Sequence, residues 1–171
     1  ARLRGRLAGL ITSGEFTGRL GQVSILHVAP GERLRATRVV LAGLGKHKDA
    51  SLEKLRQAAG SAAKAIRTAG AKSFAVPVQD LAGLLTSVPA ANRVSDIAQT
   101  LAEGALLGLY QFTTYRTERT DDASKAVRKM SVVVSDPRAL AQARQGVRQG
   151  QVIGEATTFV RDLCTHPANV V

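Results

Sequence analysis

The stretch from Thr37 to Pro77, TRVVLAGLGKHKDASLEKLRQAAGSAAKAIRTAGAKSFAVP, constrains the fold more than any other part of the chain. Val39, Val40, Leu41, Ala42 and Leu44 form a nearly unbroken apolar run. A strand with one face in water alternates, so this run predicts a strand covered on both faces, as in a parallel sheet. Gly43 and Gly45 then let the chain turn, and Asp49 or Ser51 can accept from the free N–H groups of a helix start. Leu52, Leu55, Ala59, Ala62, Ile66 and Ala69 follow in steps of three and four, which places them on one side of a helix. Gly70 supplies a helix stop, and Ser73–Val78 returns to β character, with Pro77 unable to donate to a ladder. Together these make a βαβ unit, with a right-handed crossover expected in an α/β layer.

Either side of this unit the pattern continues in the same manner. Leu3, Leu7, Leu10 and Ile11 predict a helix within Ala1 to Phe16, with Arg2, Arg4 and Arg6 as its wet side. Gln22–Val28 reads as a strand before the turn dipeptide Pro30-Gly31, and a hairpin to Val39–Leu44 is expected. Asp80–Asn92 is irregular or a short helix around Leu81, Leu84 and Leu85. Val94, Ile97, Ala98, Leu101, Ala102, Ala105 and Leu109 mark a second amphipathic helix. Gly104 and Gly108 inside it cost about 1 kcal/mol each against alanine, a cost offset by tight packing or by helix termination. Gln111 to Ala123 is an exposed polar excursion, and Ser131–Val134 a further strand. Asp136-Pro137 then caps and starts a long last helix, from about Pro137 to Leu163.

That helix changes character midway. Its first half is polar, whereas Val152, Ile153, Ala156, Phe159, Val160 and Leu163 spread apolar surface over more than one face. Such a surface needs something to bury against, another domain or another subunit.

Bulk properties narrow the function classes. The 171 residues suit one domain with a connecting element, and no apolar run approaches the roughly 20 residues that cross a bilayer. One cysteine, Cys164, excludes an internal disulfide framework and suits a reducing, cytoplasmic setting. A net charge of +11 favours a polyanionic partner, and nucleic acid is the alternative reading it supports. Against it, the basic residues are scattered along the sequence, and two Tyr with four Phe make no base-stacking platform.

No catalytic, cofactor-binding or metal residue is assigned. Gly43-Leu44-Gly45-Lys46 lacks the spacing of a phosphate loop, since His47 stands where Ser or Thr is required, and it reads as a structural turn. His27, His47 and His166 lie far apart, without metal-ligand spacing. Cys164 and His166 are too close in sequence to be the spatially assembled pair that thiol chemistry uses. Asp121-Asp122 reads as a solvated pair in a polar stretch.

Three stretches together resemble the N-terminal domain of the cytosol (leucyl) aminopeptidases: Val39–Pro77, Glu103–Arg116 (EGALLGLYQFTTYR) and Gly154–Val171 (GEATTFVRDLCTHPANVV). In the last, Arg161-Asp162-Leu163, Pro167 and Asn169 match the passage that enters the family's catalytic domain, while Thr165 and Ala168 replace the usual asparagine and proline. The resemblance implies a three-layer α/β/α sandwich, macro-domain-like, with a mixed, mostly parallel sheet. Residues 1–149 would form the N-terminal α/β domain, its usual first strand missing, and residues 150–171 the connecting helix and the start of the linker. The parent implied is a two-metal exopeptidase, assembled as a hexamer, that removes N-terminal residues from peptides with two divalent ions (manganese or zinc) activating water. The family's metal ligands and catalytic residues lie beyond the stretches resembled here, so none carries over, and this chain alone is expected to be inactive. An ADP-ribose pocket is a weaker expectation resting on fold analogy alone.

Overall fold

In a computed structural model, which describes residues 2–31, 34–85, 89, 92–115 and 125–167 (backbone alone for 2–4), the chain alternates helices and short strands. Helix α1 (Arg2–Thr12) precedes strands β1 (Val23–His27) and β2 (Arg38–Ala42). A 3₁₀ turn at His47–Asp49 leads to helix α2 (Leu52–Thr68), strand β3 (Ser73–Pro77) and the short helix α3 (Gln79–Leu84). Helix α4 (Arg93–Leu109), strand β4 (Lys129–Val133), a second 3₁₀ turn at Pro137–Ala139 and helix α5 (Leu140–Thr165) complete the order.

The ends of α2 follow from its sequence. Ser51, not Asp49, caps the start, its hydroxyl accepting from the Lys54 N–H at 3.3 Å, while Asp49 faces the Lys54 ammonium at 3.8 Å. At the other end Gly70 takes φ +72°, which only glycine adopts without strain. Its N–H bonds to the Arg67 carbonyl and that of Ala71 to Ile66, closing the helix in a Schellman motif.

The strands pair differently from the expectation of one mixed, mostly parallel sheet. β1 and β2 form an antiparallel pair, Val23 opposite Ala42 and His27 opposite Arg38, around the turn in which Gly31 has φ +87°. β3 pairs in parallel with β4, Ser73 opposite Lys129 and Pro77 opposite Val133. Among the described residues these are separate two-stranded sheets, so β2 and β3 are not neighbours across α2. The parallel crossover runs instead from β3 through α3 and α4 to β4. The apolar run of β2 looks two-sided because the hairpin packs on α2 while all of Val39, Val40 and Leu41 stay half-buried.

The expected second amphipathic helix, α4, lies at the centre of the molecule. It is held between α2 and α5, and Ile97, Ala98, Thr100, Leu101, Ala102, Glu103, Gly104, Ala105 and Gly108 are all buried. Leu55, Val78, Leu85, Ile97 and Leu101 form the core, with Val76, Met130 and Val132 of the parallel sheet against it. The glycines of α4 are repaid by close approach. A Cβ on Gly104 would lie 2.4 Å from the Arg56 carbonyl oxygen, and one on Gly108 2.5 Å from that of Gly60. α5 repeats the device: Cβ atoms on Gly146 and Gly150 would meet the Ser95 and Gln99 carbonyls at 2.1 and 2.4 Å. Residue numbers rise together along both seams, so α2, α4 and α5 all run in the same direction.

Candidate functional site

Asp136 starts the last helical segment as its sequence implies, Oδ1 accepting from the Arg138 N–H at 2.9 Å with Pro137 in the first turn. From there α5 lays Ala143, Gly146, Gly150 and Gly154 against α4. Val152 stands two residues, about 200° of helix, away from Gly150. Val152, Ala156, Phe159 and Leu163 therefore line the opposite side, with Ile153 and Val160 beside them. That side is bare: Val152 is 66% exposed, Phe159 62% and Val160 55%. Such an apolar stripe on the outside of the helix stack is large for a water-facing surface.

The end of α5 is pinned. Past Gly154 it outruns α4, and the chain leaving α4 folds against it. The Tyr110 hydroxyl donates to Asp162 Oδ1 at 2.7 Å, and the Arg161 guanidinium sits 5.6 Å from the centre of the Tyr110 ring. Burial and that hydrogen bond push the Tyr110 hydroxyl above its ordinary value. The Tyr115 hydroxyl lies 2.7 Å from His166 Nδ1, and Phe112 packs edge-on against the same imidazole with ring centres 5.1 Å apart. Thus Glu103–Arg116 and Gly154–Val171, 51 and 52 residues apart at these contacts, meet in space. The third stretch joins them: Arg56 Nε donates to Glu103 Oε2 at 2.6 Å, and Gln99 Nε2 to Oε1 at 2.7 Å. Arg56 also pairs with Glu53. Burial lowers the Arg56 guanidinium, but Glu103 and then Glu53 outweigh it and hold it above its ordinary value. Hydrogen bonds from Gln57 and Arg56 draw the Glu53 carboxyl below its own.

The residues weighed for chemistry stay separate. The Gly43 and Gly45 N–H groups donate to the Gln22 and Gly18 carbonyls, so that turn offers no free nest for phosphate. His166 is engaged by Tyr115 rather than Cys164, which is exposed. Among the described residues no three of His, Cys, Asp and Glu gather where they can hold a metal ion, so the two cations implied for the parent find no fit in them. No helix among them is long and apolar enough to cross a membrane. Asp121-Asp122, Arg116, Asn169, Val170 and Val171 lie outside the described residues. The Tyr110–Asp162 and Arg56–Glu103 contacts carried no signal in charge or spacing, beyond a lone Glu in the apolar second half of α4.

Comparison with known proteins agrees with this arrangement. The model of the cytosol aminopeptidase family, N-terminal domain, matches residues 1–119. A probable cytosol aminopeptidase of Geobacter sp. (strain M21) is 36% identical over 171 residues, covering 100% of this chain and 32% of that protein. The chain thus spans about a third of the length of the curated relatives it matches. The bottromycin maturation enzyme BotP, also solved in complex with Mn, is 30% identical with a TM-score of 0.67, over 94% of this chain and 30% of BotP. A mutant of tomato leucine aminopeptidase shares the fold, with a TM-score of 0.74 at 22% identity over 99% of this chain and 30% of its own. With a family match across most of its length, and the three stretches that carry it locked together in one helix stack, the chain belongs to the cytosol aminopeptidase family as its N-terminal domain.

Proposed function

We propose that this chain is the non-catalytic N-terminal domain of a leucyl-type, two-metal aminopeptidase, and that α5 docks it on the catalytic domain of the same polypeptide. The single observation that carries this is the bare stripe Val152, Phe159 and Leu163, turned away from the glycine seam, with Ile153 and Val160 exposed along its flank. Its role is to flank that domain and help shape assembly into a hexamer or access for peptides in the cytoplasm. Residues 1–149 act as the folded unit and 150–171 as the connection, within a three-layer, macro-domain-like architecture. The catalytic chemistry, with its divalent ions, belongs to the remaining part of the parent.

The test replaces Phe159 and Val160 by aspartate in the intact protein. Expected are loss of leucine-amide hydrolysis, or of the hexamer, in size-exclusion chromatography and a peptidase assay run side by side. Ile11→Asp, at an apolar residue equally exposed on α1, serves as control and leaves both unchanged. Robust metal-dependent cleavage of leucine amide by the 171-residue chain alone, with manganese or zinc added, overturns the reading.

A further inference from the structure

Strands β3 and β4 make a short sheet with an open side. A two-stranded sheet is marginal by itself, and a parallel ladder is slightly weaker per residue than an antiparallel one. The ladder decides which backbone groups are left over. The Val78 N–H donates to the Val133 carbonyl at 3.0 Å and the Lys129 N–H to the Lys72 carbonyl at 3.3 Å, in the register that sets Phe74 opposite Met130. Residues that bond to the neighbour alternate along a strand, so even positions of β3 and odd positions of β4 serve the shared ladder. Met130, Val132 and Val134 therefore turn N–H and C=O to the outer edge of β4, where no backbone partner meets them among the described residues. At the outer edge of β3 the matching positions are Ser73, Ala75 and Pro77, and Pro77 has no N–H to offer. β4 is the unguarded edge.

Its side chains suit a further strand. Met130, Val132 and Val134 pack on the core, while on the other face Val133 is 46% exposed. An edge rich in β-branched residues is a template for pairing. Charge indicates with what. Arg128 just before the strand and Asp136 just after it are both exposed, and neither forms an ion pair among the described residues. Lay a second β4 antiparallel across the edge, with Val132 opposite its own copy. Met130 then stands opposite Val134 and Ser131 opposite Val133, and Arg128 of each copy reaches the strand end that carries Asp136 of the other. Sliding the copy by two residues sets Arg128 against Arg138 in one direction and Val134 in the other, so charge selects the central register.

We propose that β4 is a self-association edge, at which two copies of this chain join antiparallel about a two-fold axis at Val132. Two parallel pairs become one four-stranded mixed sheet, each opposed pair of outward residues exchanging two hydrogen bonds. The contact uses no residue of the α5 stripe and stands independently of the docking proposed above.

Sedimentation equilibrium of the 171-residue chain is expected to show monomers and dimers in exchange. Val132→Pro removes the central donor of the edge and no β3–β4 bond, and is expected to weaken dimerisation at least about tenfold. Arg128→Glu, which sets like charges together at both ends, is expected to weaken it about tenfold. Ala75→Pro, the equivalent change on the outer edge of β3, alters it less than about twofold. Thermal melts matching the parent exclude unfolding as the cause, and Arg128→Glu carries the test if Val132→Pro does not fold. Cross-linking reads the register, with the exposed Cys164 replaced by serine in every protein. Ser131 and Val133 form a non-hydrogen-bonded pair across the axis, with Cα atoms about 4.5 Å apart and within disulfide reach. A mixture of Ser131→Cys and Val133→Cys proteins under a mild oxidant is therefore expected to cross-link, and either protein alone is not. A monomer at every concentration, equal loss in Ala75→Pro, or cross-linking of either cysteine variant alone to the level of the mixture each overturns the proposal.

Discussion

Tyr110 and Asp162 make a contact whose strength depends on a single proton. The hydroxyl is held protonated by burial and by the carboxylate it donates to, so its ionisation is displaced upward in the folded chain. A group raised on folding stabilises fully below its unfolded value and loses that contribution as pH climbs through the folded one. The clasp is therefore intact at neutral pH and fails on the alkaline side, above about 10, where a phenolate would face a carboxylate. Near-ultraviolet titration of the Tyr115→Phe protein, with Tyr110 as sole tyrosine, is expected to give a midpoint above that of a free tyrosine, and Asp162→Asn to bring it down. At Arg56 the shift has the same direction, and the test is a truncation. Arg56→Ala leaves the Glu103 carboxylate, only 4% exposed, with the neutral Gln99 amide in place of its ion pair, and is expected to cost about 3 kcal/mol in urea denaturation. Glu53→Ala removes the exposed partner of the same arginine and costs about 0–1 kcal/mol. Neither contact could be read from the chain alone, because side chains about 50 positions apart are brought together only by the packing of α2, α4 and α5.

Elements were legible where local physics decides them and illegible where pairing does. Ser51, Gly70, Pro77 and Asp136-Pro137 mark boundaries that the structure keeps, since caps and stops depend on neighbours within a turn. The pairing of β2 with β1 and of β3 with β4 depends on contacts far along the chain, and an apolar run such as Val39–Leu41 does not say which strand will lie beside it. The central position of α4 was hidden for a related reason: its alanines and glycines look permissive in sequence, and only the helices on both sides turn them into a constraint. Gly150 tests this directly. Alanine there gains helix propensity of about 1 kcal/mol, but its Cβ would lie 2.4 Å from the Gln99 oxygen and 2.9 Å from the Ala102 Cβ. Backbone cannot yield that far cheaply, so Gly150→Ala is expected to destabilise by about 1–3 kcal/mol in thermal or urea unfolding. Gly9→Ala in α1, with nothing within 4 Å, is expected to be neutral or stabilising by up to about 1 kcal/mol.

At the scale of the molecule, α5 packs on α4, and the proposed reading gives it a second partner. Its first half is fastened to α4 through a glycine seam that ends at Gly154, where a Cβ would meet the Leu106 side chain at 2.8 Å. Beyond that point Tyr110, Tyr115 and Phe112 hold it among the described residues, and its outer stripe faces water. Amide exchange reports local opening, and a helix end held on one side by two hydrogen bonds and a few ring contacts opens far more readily than one buried in a stack. In the 171-residue chain, protection along α5 is therefore expected to be high from 143 to 154 and to fall sharply after Gly154, with alkaline pH releasing the remainder as the Tyr110 clasp fails. In the intact parent, docking of the stripe predicts protection extending through Leu163, because Phe159 and Val160 are then covered and the helix cannot open alone. Mass spectrometry of exchanged peptides from the two proteins measures the difference. Equal exchange of the 155–165 segment in both would mean that the stripe stays bare in the whole protein, and the docking reading would fall with it.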